Sequence, residues 1–158
     1  MSEIRWNETF LADVPEGFIE ADEAMKQQMN TPWGAPQYLL QDPDRHMIIS
    51  LASRQTGGLT ALLAGNVEEV VRNMEPKVAK AMQSFGYRQG SFLERTVADT
   101  KAYGFSYEYT AQNTGMSSET YMMKNEKTYY YFHVYYRTEL KDESLPVWNA
   151  VLDSMRRI

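Results

Sequence analysis

The chain has no cysteine among its 158 residues and only two histidines, His46 and His133. Without cysteine it can form neither a disulfide framework nor a thiolate nucleophile or metal ligand. A catalytic triad or a metal site would have to use one of the two imidazoles. The absence of cysteine also fits a reducing compartment, and we expect a cytoplasmic protein.

Long hydrophobic runs are missing as well. The longest apolar stretch, residues 59–65, is far shorter than the ~20 residues that a membrane-spanning helix needs. The N-terminal sequence MSEIRWNETF has no basic cluster followed by an apolar segment, so it does not resemble a signal peptide. We therefore expect no membrane insertion.

Basic residues are fewer than acidic residues. Lysine and arginine number 16 against 21 acidic residues, which gives a formal net charge of −5. An acidic chain repels a phosphate backbone, and the adjacent pair Arg156 and Arg157 is too small to form a basic stripe, so nucleic acid is not expected as a partner. The hydrophobic fraction of 43% and the lack of a Pro/Gly/Ser-rich linker predict one folded domain over residues 1–158.

Recognisable catalytic motifs are absent too. The sequence contains no G-x-S-x-G elbow, no phosphate-binding loop and no dinucleotide-binding fingerprint. We therefore expect a protein that is not an enzyme and that carries no cofactor. An enzyme is the third hypothesis. It would require a polar cluster with perturbed pKa values in a cleft, and no catalytic motif in the sequence indicates one.

The first third of the chain predicts strands and a loop. Residues 9–18 alternate apolar and polar side chains before a Pro-Glu-Gly turn, which predicts a first strand. Residues 21–36 are polar and interrupted by proline and glycine, which predicts a loop. A hairpin is predicted next, with arms at residues 37–41 and 46–54 joined by an Asp-Pro-Asp turn.

A mid-chain helix follows. Asn66 is the predicted N-cap, Glu69 is its capping-box partner, and apolar residues recur at helical spacing from 67 to 85. Gly86 stands where a C-cap is expected. Pro76 lies within the pattern and predicts a kink or a split, because proline removes a backbone donor.

The second half of the chain predicts an antiparallel meander and a closing helix. The four strands are predicted at residues 91–99, 101–112, 118–124 and 127–139, separated by short turns.

The closing helix is predicted to start at Ser144 as N-cap, with Pro146 in its first turn and arginines at its negative end. Its apolar stripe would be Val147, Val151, Leu152, Met155 and Ile158. We predict a single-domain α+β sandwich, in which an antiparallel sheet of about six or seven strands is packed by the mid-chain and C-terminal helices.

The sequence DVPEGF after the first strand, the mid-chain helix, the tyrosine-rich meander and the final VLDSMRRI together resemble the PsbP/DcrB-like family. That fold includes the photosystem II extrinsic protein, the Ran-binding protein of the Mog class, uncharacterised bacterial proteins and Eag-type chaperones. The resemblance implies a non-catalytic binding or assembly role by analogy of fold. The metal-binding histidines of plant members and the acidic Ran-contacting patch have no counterpart in this sequence.

A metal site is conceivable at the predicted hairpin turn. Asp42, Asp44 and His46 alternate, so in an extended strand they would share a face and offer oxygen and nitrogen ligands to a divalent cation. The simpler interpretation is a proline-containing turn, in which aspartates are common because they stabilise turns.

The tyrosine-rich segment KTYYYFHVYYRTE, residues 127–139, is the main candidate for a binding surface. A strand alternates its side chains, so one face carries Tyr130, Phe132, Val134 and Tyr136, and the other carries Tyr129, Tyr131, His133, Tyr135 and Arg137. The first set should face the helices. The second set is large and hydrogen-bonding, as binding surfaces are, although ordinary cross-strand stabilisation of the sheet is the alternative.

Methionine supplies a further hypothesis, because ten methionines is a high number for this length. Met122 and Met123 are adjacent in a predicted strand and must point to opposite faces, so only one belongs to the core if only one face is buried. A hydrophobic groove lined by methionine would suit an adaptable binding surface.

These observations lead to two binding hypotheses. The first is a non-enzymatic adaptor, scaffold or chaperone that engages an unidentified protein through the tyrosine-rich face, and we expect a homodimer because a self-complementary patch would hide that face. The alternative is a small-molecule or hydrophobic-ligand binder with a pocket near Trp33, between residues 31–36 and 57–65.

Overall fold

The computed structural model describes residues 2–6, 8–28, 36–55 and 66–158. Within these residues it contains ten β-strands in two antiparallel sheets and three α-helices, which confirms the predicted α+β class. The strands are β1 Ser2–Trp6, β2 Phe10–Val14, β3 Ile19–Glu20, β4 Tyr38–Asp42, β5 Met47–Gln55, β6 Arg88–Val97, β7 Thr100–Ala111, β8 Thr114–Asn125, β9 Thr128–Arg137 and β10 Arg156–Arg157. The helices are α1 Glu23–Gln28, α2 Val67–Ala81 and α3 Lys141–Ser154.

The larger sheet has the strand order β3-β4-β5-β9-β8-β7-β6, and each neighbouring pair is antiparallel. It includes the predicted meander, β6 to β9. All three meander turns contain two residues, and in two of them, Ala98 with Asp99 and Gln112 with Asn113, both residues have positive φ. Such turns match the right-handed twist of the strands that they join, which keeps the flanking strands in register.

One edge of this sheet is irregular. Along β6 the pairing with β7 shifts register between Gln89 and Phe92. Gly90 lies in the shifted part, where a Cβ atom would overlap the Ser106 side chain, so a larger residue would require the strands to move apart.

The smaller sheet has the order β1-β2-β10. The alternation predicted for β2 is confirmed, since Phe10, Ala12 and Val14 are buried. Strands β1 and β10 were not predicted from the sequence. Arg156 and Arg157 therefore lie in a strand that pairs with β2, beyond the end of the helix where they were expected.

One face of the large sheet packs against the small sheet and α3. Aromatic rings fill this interface. The Tyr130 ring lies 5.0 Å from the Trp6 ring and 4.9 Å from the Phe10 ring, with interplanar angles of 84° and 82°. These edge-to-face contacts add to the burial of large apolar surfaces, which is the main stabilisation of this layer.

The other face packs against α2, which contacts β7 and β8. The predicted cap is confirmed, because the Asn66 side chain accepts a hydrogen bond of 2.9 Å from the Glu69 backbone N–H. Gly86 has a φ of 70° and ends the turn of 3₁₀ helix that follows α2. The predicted split at Pro76 is wrong, because α2 continues through this residue.

Both faces of the sheet are thus covered, which settles the position of the adjacent methionines. Met122 belongs to the core beneath α2 and Met123 to the core beneath α3. Both are almost fully buried, so neither one lines an exposed groove.

The closing helix starts earlier than predicted. Leu140 precedes α3, which begins at Lys141 directly after a 3₁₀ turn, so the N-cap predicted at Ser144 is wrong. Ser144 is buried inside the helix. The stripe of Val151, Leu152 and Met155 is buried as expected, whereas Ile158 is exposed and the fully buried Trp148 was not predicted.

The predicted hairpin is confirmed as β4 and β5, displaced by one residue. The loop predicted at residues 21–36 is partly wrong, because α1 lies within it and the Met25 backbone N–H is capped by the Asp22 carboxylate at 2.9 Å. Residues 29–35 of that loop lie outside the described residues.

Candidate functional site

The tyrosine-rich strand β9 alternates as predicted, and its two faces meet the two cores. Tyr130, Phe132, Val134 and Tyr136 lie in the core with α3, and Tyr129 and Tyr131 lie in the core with α2. The second set is therefore not an exposed sheet face, since Tyr129 and Tyr131 are each 2% exposed and His133 is 9% exposed. Tyr135 and Arg137, towards the end of the strand, are half-buried.

His133 occupies the middle of this buried face. Its neighbours across the strands are Ser50 on β5 and Thr120 on β8, and its Nδ1 atom is hydrogen-bonded to the Thr120 hydroxyl. Among the described residues, His133 Nε2 and Ser50 Oγ have no hydrogen-bond partner. Burial lowers the pKa of His133 to about 4, so the imidazole is neutral at physiological pH.

The hydroxyls of Tyr135 and Tyr109, on the same face of the sheet, are also neutral. Burial raises the pKa of Tyr135 well above its ordinary value, with smaller contributions from Tyr107 and Tyr109. Burial likewise raises the pKa of Tyr109 to about 12. These side chains can accept or donate hydrogen bonds but offer no charge to a ligand.

The residues predicted as a candidate metal site form the turn between β4 and β5. Asp42 is buried, and its Oδ1 atom accepts hydrogen bonds from the backbone N–H groups of Asp44 at 3.1 Å and Arg45 at 3.2 Å. Its Oδ2 atom pairs with the Arg45 guanidinium at 2.5 Å. His46 has a φ of 56° and is exposed. Over the described residues, no three His, Cys, Asp or Glu side chains are grouped to hold a metal ion.

A cleft of about 350 Å³ lies where the β4–β5 hairpin and the β7–β8 hairpin end side by side. We call it the end cleft. Its lining comprises Gln41, Asp42, Pro43, His46, Met47, Ile48, Tyr109, Ala111, Gln112, Thr114, Met116 and Arg137.

Strand register places three different side chains in one line across the end cleft. Tyr109 on β7 is opposite Met116 on β8, and Met116 is opposite Arg137 on β9. Opposed residues have Cβ atoms about 4.5–5.5 Å apart. An aromatic ring, a thioether and a guanidinium thus lie side by side, next to the aliphatic Ile48 of β5.

The predicted binding residues are divided by the structure. Arg137 lines the end cleft, whereas Tyr129, Tyr131 and His133 are buried away from it. Trp33 and the glycine-bounded segment 57–65, which carried the small-molecule hypothesis, lie outside the described residues.

Sequence reasoning missed most of the end cleft. Its lining residues Tyr109, Met116 and Ile48 were not among the predicted site residues. The turn sequences DPDRH and QNTG could each be recognised in the sequence. That the two turns lie close together depends on the order of strands in the sheet, which the sequence does not show.

Within the described ranges no helix is long and apolar enough to cross a membrane.

Comparison with known proteins identifies the fold. No protein-family model matches the chain, and no curated protein is significantly similar to it in sequence. Among solved structures, cyanobacterial PsbP (CyanoP) from Synechocystis sp. PCC 6803 is similar with a TM-score of 0.73 and 13% identity, covering 99% of this chain and 92% of that one.

Two further solved structures are similar at lower scores. LpqN, involved in cell envelope biogenesis of Mycobacterium tuberculosis, has a TM-score of 0.60 and 11% identity, covering 94% of this chain and 82% of its own. A protein from Bacteroides thetaiotaomicron has a TM-score of 0.59 and 10% identity, covering 94% of this chain and 45% of its own. Identities this low carry over no residue role and no activity. They do confirm the resemblance at the level of architecture: the chain has the PsbP-like fold.

Proposed function

We propose that the protein is a non-enzymatic binding protein and that its ligand is a small molecule with an apolar or aromatic body, held in the end cleft. The observation that carries the proposal is the lining itself. Met47, Ile48, Tyr109, Ala111 and Met116 supply apolar surface around a volume of about 350 Å³. That volume lies at the lower end of the range for small-molecule sites, which is about 300–1,000 Å³.

A binding role, rather than catalysis, is supported by the state of the polar groups. The carboxylate of Asp42 is occupied by the turn that it builds and by Arg45, so it is not a free general base. The neutral imidazole of His133 is bonded to Thr120 and is not among the residues that line the end cleft.

Filling the end cleft tests the proposal. Ala111 is half-buried at the end of β7, so we expect Ala111→Trp to fold and to occupy the cleft with its own ring. The probe is 4-phenylbutan-1-ol, a neutral molecule with an aromatic body. In an amide chemical-shift titration by NMR, it should perturb Ile48, Met116 and Arg137 of the wild type and leave them unchanged in the variant.

The matched control is Ala81→Trp, which adds the same ring at an exposed position at the end of α2. It should bind the probe as the wild type does. If the probe perturbs no residue of the end cleft in the wild type, or binds Ala111→Trp with unchanged shifts there, the proposed site is wrong.

A second candidate function is the adaptor or chaperone role that the sequence predicts. The tyrosine-rich face predicted for that role is buried, but two exposed apolar side chains adjoin the end cleft. Ile19 is 63% exposed and pairs with Gln41, and the Gln41 amide lies 3.9 Å from the Met25 sulfur. A protein partner would contact Ile19 and Met25. The partner tested below is a second copy of the chain.

A further inference from the structure

The charges that line the end cleft do not balance. Among its described lining residues, Asp42 and Arg137 are the groups with a full charge. Asp42 is neutralised locally, because the Arg45 guanidinium pairs with Oδ2 and two backbone N–H groups bond to Oδ1. The cleft therefore presents positive charge within a protein whose formal net charge is −5.

Arg137 is only loosely engaged. Its Nη1 atom lies 3.8 Å from Glu139 Oε1, beyond hydrogen-bonding distance, and the Glu139 side chain is 70% exposed. An exposed pair at this distance contributes little, because water screens it and both side chains lose freedom. Arginine carries five N–H donors in a planar fork, which matches the two oxygens of a carboxylate.

The neighbours of Arg137 define the rest of the ligand. Met116 and Tyr109 follow it across the sheet, and the pKa of Tyr109 is raised to about 12 by burial, so its hydroxyl is neutral. An apolar body would lie on these two side chains and on Ile48, with an anionic group directed towards Arg137. The turns at Pro43 and Gln112 also line the cleft.

We propose that the end cleft selects free small organic acids, with a carboxylate bound by Arg137 and an apolar or aromatic body packed on Met116 and Tyr109. This inference rests on the proposed function, since it names the chemical class of the ligand in the same cleft. A free acid suits a volume of about 350 Å³, which holds one small molecule and not a folded surface.

The experiment compares three probes that share one body: 4-phenylbutyrate, 4-phenylbutan-1-ol and 4-phenylbutylamine. Each is titrated into the wild-type protein, and dissociation constants are taken from amide chemical shifts of Ile48, Met116 and Arg137. We expect the acid to bind about tenfold more tightly than the alcohol, the effect of one hydrogen-bonded charge pair. The amine should bind more weakly than the alcohol, because Arg137 repels it.

Arg137→Met removes the charge and keeps the length of the side chain. We expect it to abolish the preference for the acid, so that the acid and the alcohol bind with similar dissociation constants, taken for this variant from the amide shifts of Ile48 and Met116. The matched control is Arg5→Met on β1, since the Arg5 Nη1 atom is also 3.8 Å from a glutamate oxygen, that of Glu8. This control should bind all three probes as the wild type does.

The outcomes separate the two proposals. If the alcohol binds the cleft as tightly as the acid, or if Arg137→Met retains the preference for the acid, the acid specificity is wrong and the binding cleft stands. If no probe perturbs the cleft residues, the proposed function is wrong as well. The wild-type comparison of acid, alcohol and amine decides the question even if Arg137→Met fails to fold.

Discussion

Among single residues, His133 has a direct consequence for stability. A neutral imidazole is buried between Ser50 and Thr120, and only its Nδ1 atom is paired among the described residues. Burial of a polar atom without a partner costs about 1–3 kcal/mol. The cost rises further when the ring must become charged, and this makes the protein sensitive to acid.

We predict that His133 makes the free energy of unfolding fall with decreasing pH. Its pKa is about 4 in the folded protein, against an ordinary value of 6.5, so between these values the unfolded chain binds the proton and the folded chain does not. The part of the free energy of unfolding that is linked to His133 is fully present above about pH 6.5. It is lost as the pH falls towards about 4, and it amounts to at most about 3 kcal/mol. Urea unfolding across this range measures it.

The variant His133→Gln keeps a partner for Thr120 but does not titrate, so it should lose this part of the pH dependence. Carboxylates titrate in both proteins, and the difference between the two curves isolates the imidazole. His46→Gln, at an exposed turn position, is the control and should follow the wild type. Parallel curves for wild type and His133→Gln would show that the imidazole is not responsible.

Among elements, α2 begins at a local signal in the sequence. Asn66 caps it, and Glu68 and Glu69 lie in the first turn, where acidic side chains are favoured by the positive end of the helix dipole. Its apolar residues Val71 and Met74 then pack on the sheet. The Tyr87 hydroxyl donates a 2.8 Å hydrogen bond to the buried Glu75 carboxylate, which ties the helix to the chain beyond it.

We predict that Asn66→Ala lowers the free energy of unfolding by about 1 kcal/mol, because the Glu69 N–H loses its partner at the start of the helix. Asn73→Ala is the matched control, an exposed asparagine within the same helix. It should leave stability unchanged or raise it slightly, since alanine has the higher helix propensity. Urea denaturation of both variants decides, and an equal loss in the two would contradict a capping role for Asn66.

The elements that could be predicted from the sequence share one property: their own side chains carry a complete pattern. The alternation in β2 and β9, the turns that bound β6 to β8 and the capped periodicity of α2 are local. By contrast, β1, α1 and β10 are short, and β10 is a strand because it pairs with β2. Sequence patterns contain no signal of that pairing.

The candidate site was harder to predict for the same reason. The end cleft joins residues 41–48, 109–116 and Arg137, which are distant in the chain. Arg137 was identified because it shares a strand face with the tyrosines. The exposure of that face was not predictable, since it depends on α2 lying across β7 and β8.

At the scale of the whole molecule, both faces of the large sheet are covered, so binding surfaces are left at its ends and edges. Of the large apolar side chains in the described part of the chain, those clearly exposed are Ile19, Met25, Phe85, Phe92 and Ile158. Ile19 and Met25 both adjoin Gln41, which lines the end cleft. This pair is the surface on which the expected homodimer can be tested.

If two copies associate through this pair, Ile19→Asp should shift the protein towards monomer, because a carboxylate would be buried in an apolar contact. Ile19 is 63% exposed, so the fold should not change. Ile158→Asp is the matched control, since Ile158 is 57% exposed beside the small sheet and should not affect association. Sedimentation velocity over a range of concentrations measures both. A wild type that is monomeric throughout contradicts the homodimer.

The shifted register of β6 has a consequence for the behaviour of the protein in concentrated solution. A regular, exposed edge strand presents a row of unpaired backbone groups, and another strand can add to it to begin an aggregate. In β6 the irregularity between Gln89 and Phe92 interrupts that row near the start of the strand, and Gly90 leaves no side chain there to support a new strand. The shift in register that weakens the pairing of β6 with β7 therefore also makes this edge a poor template for intermolecular β-structure.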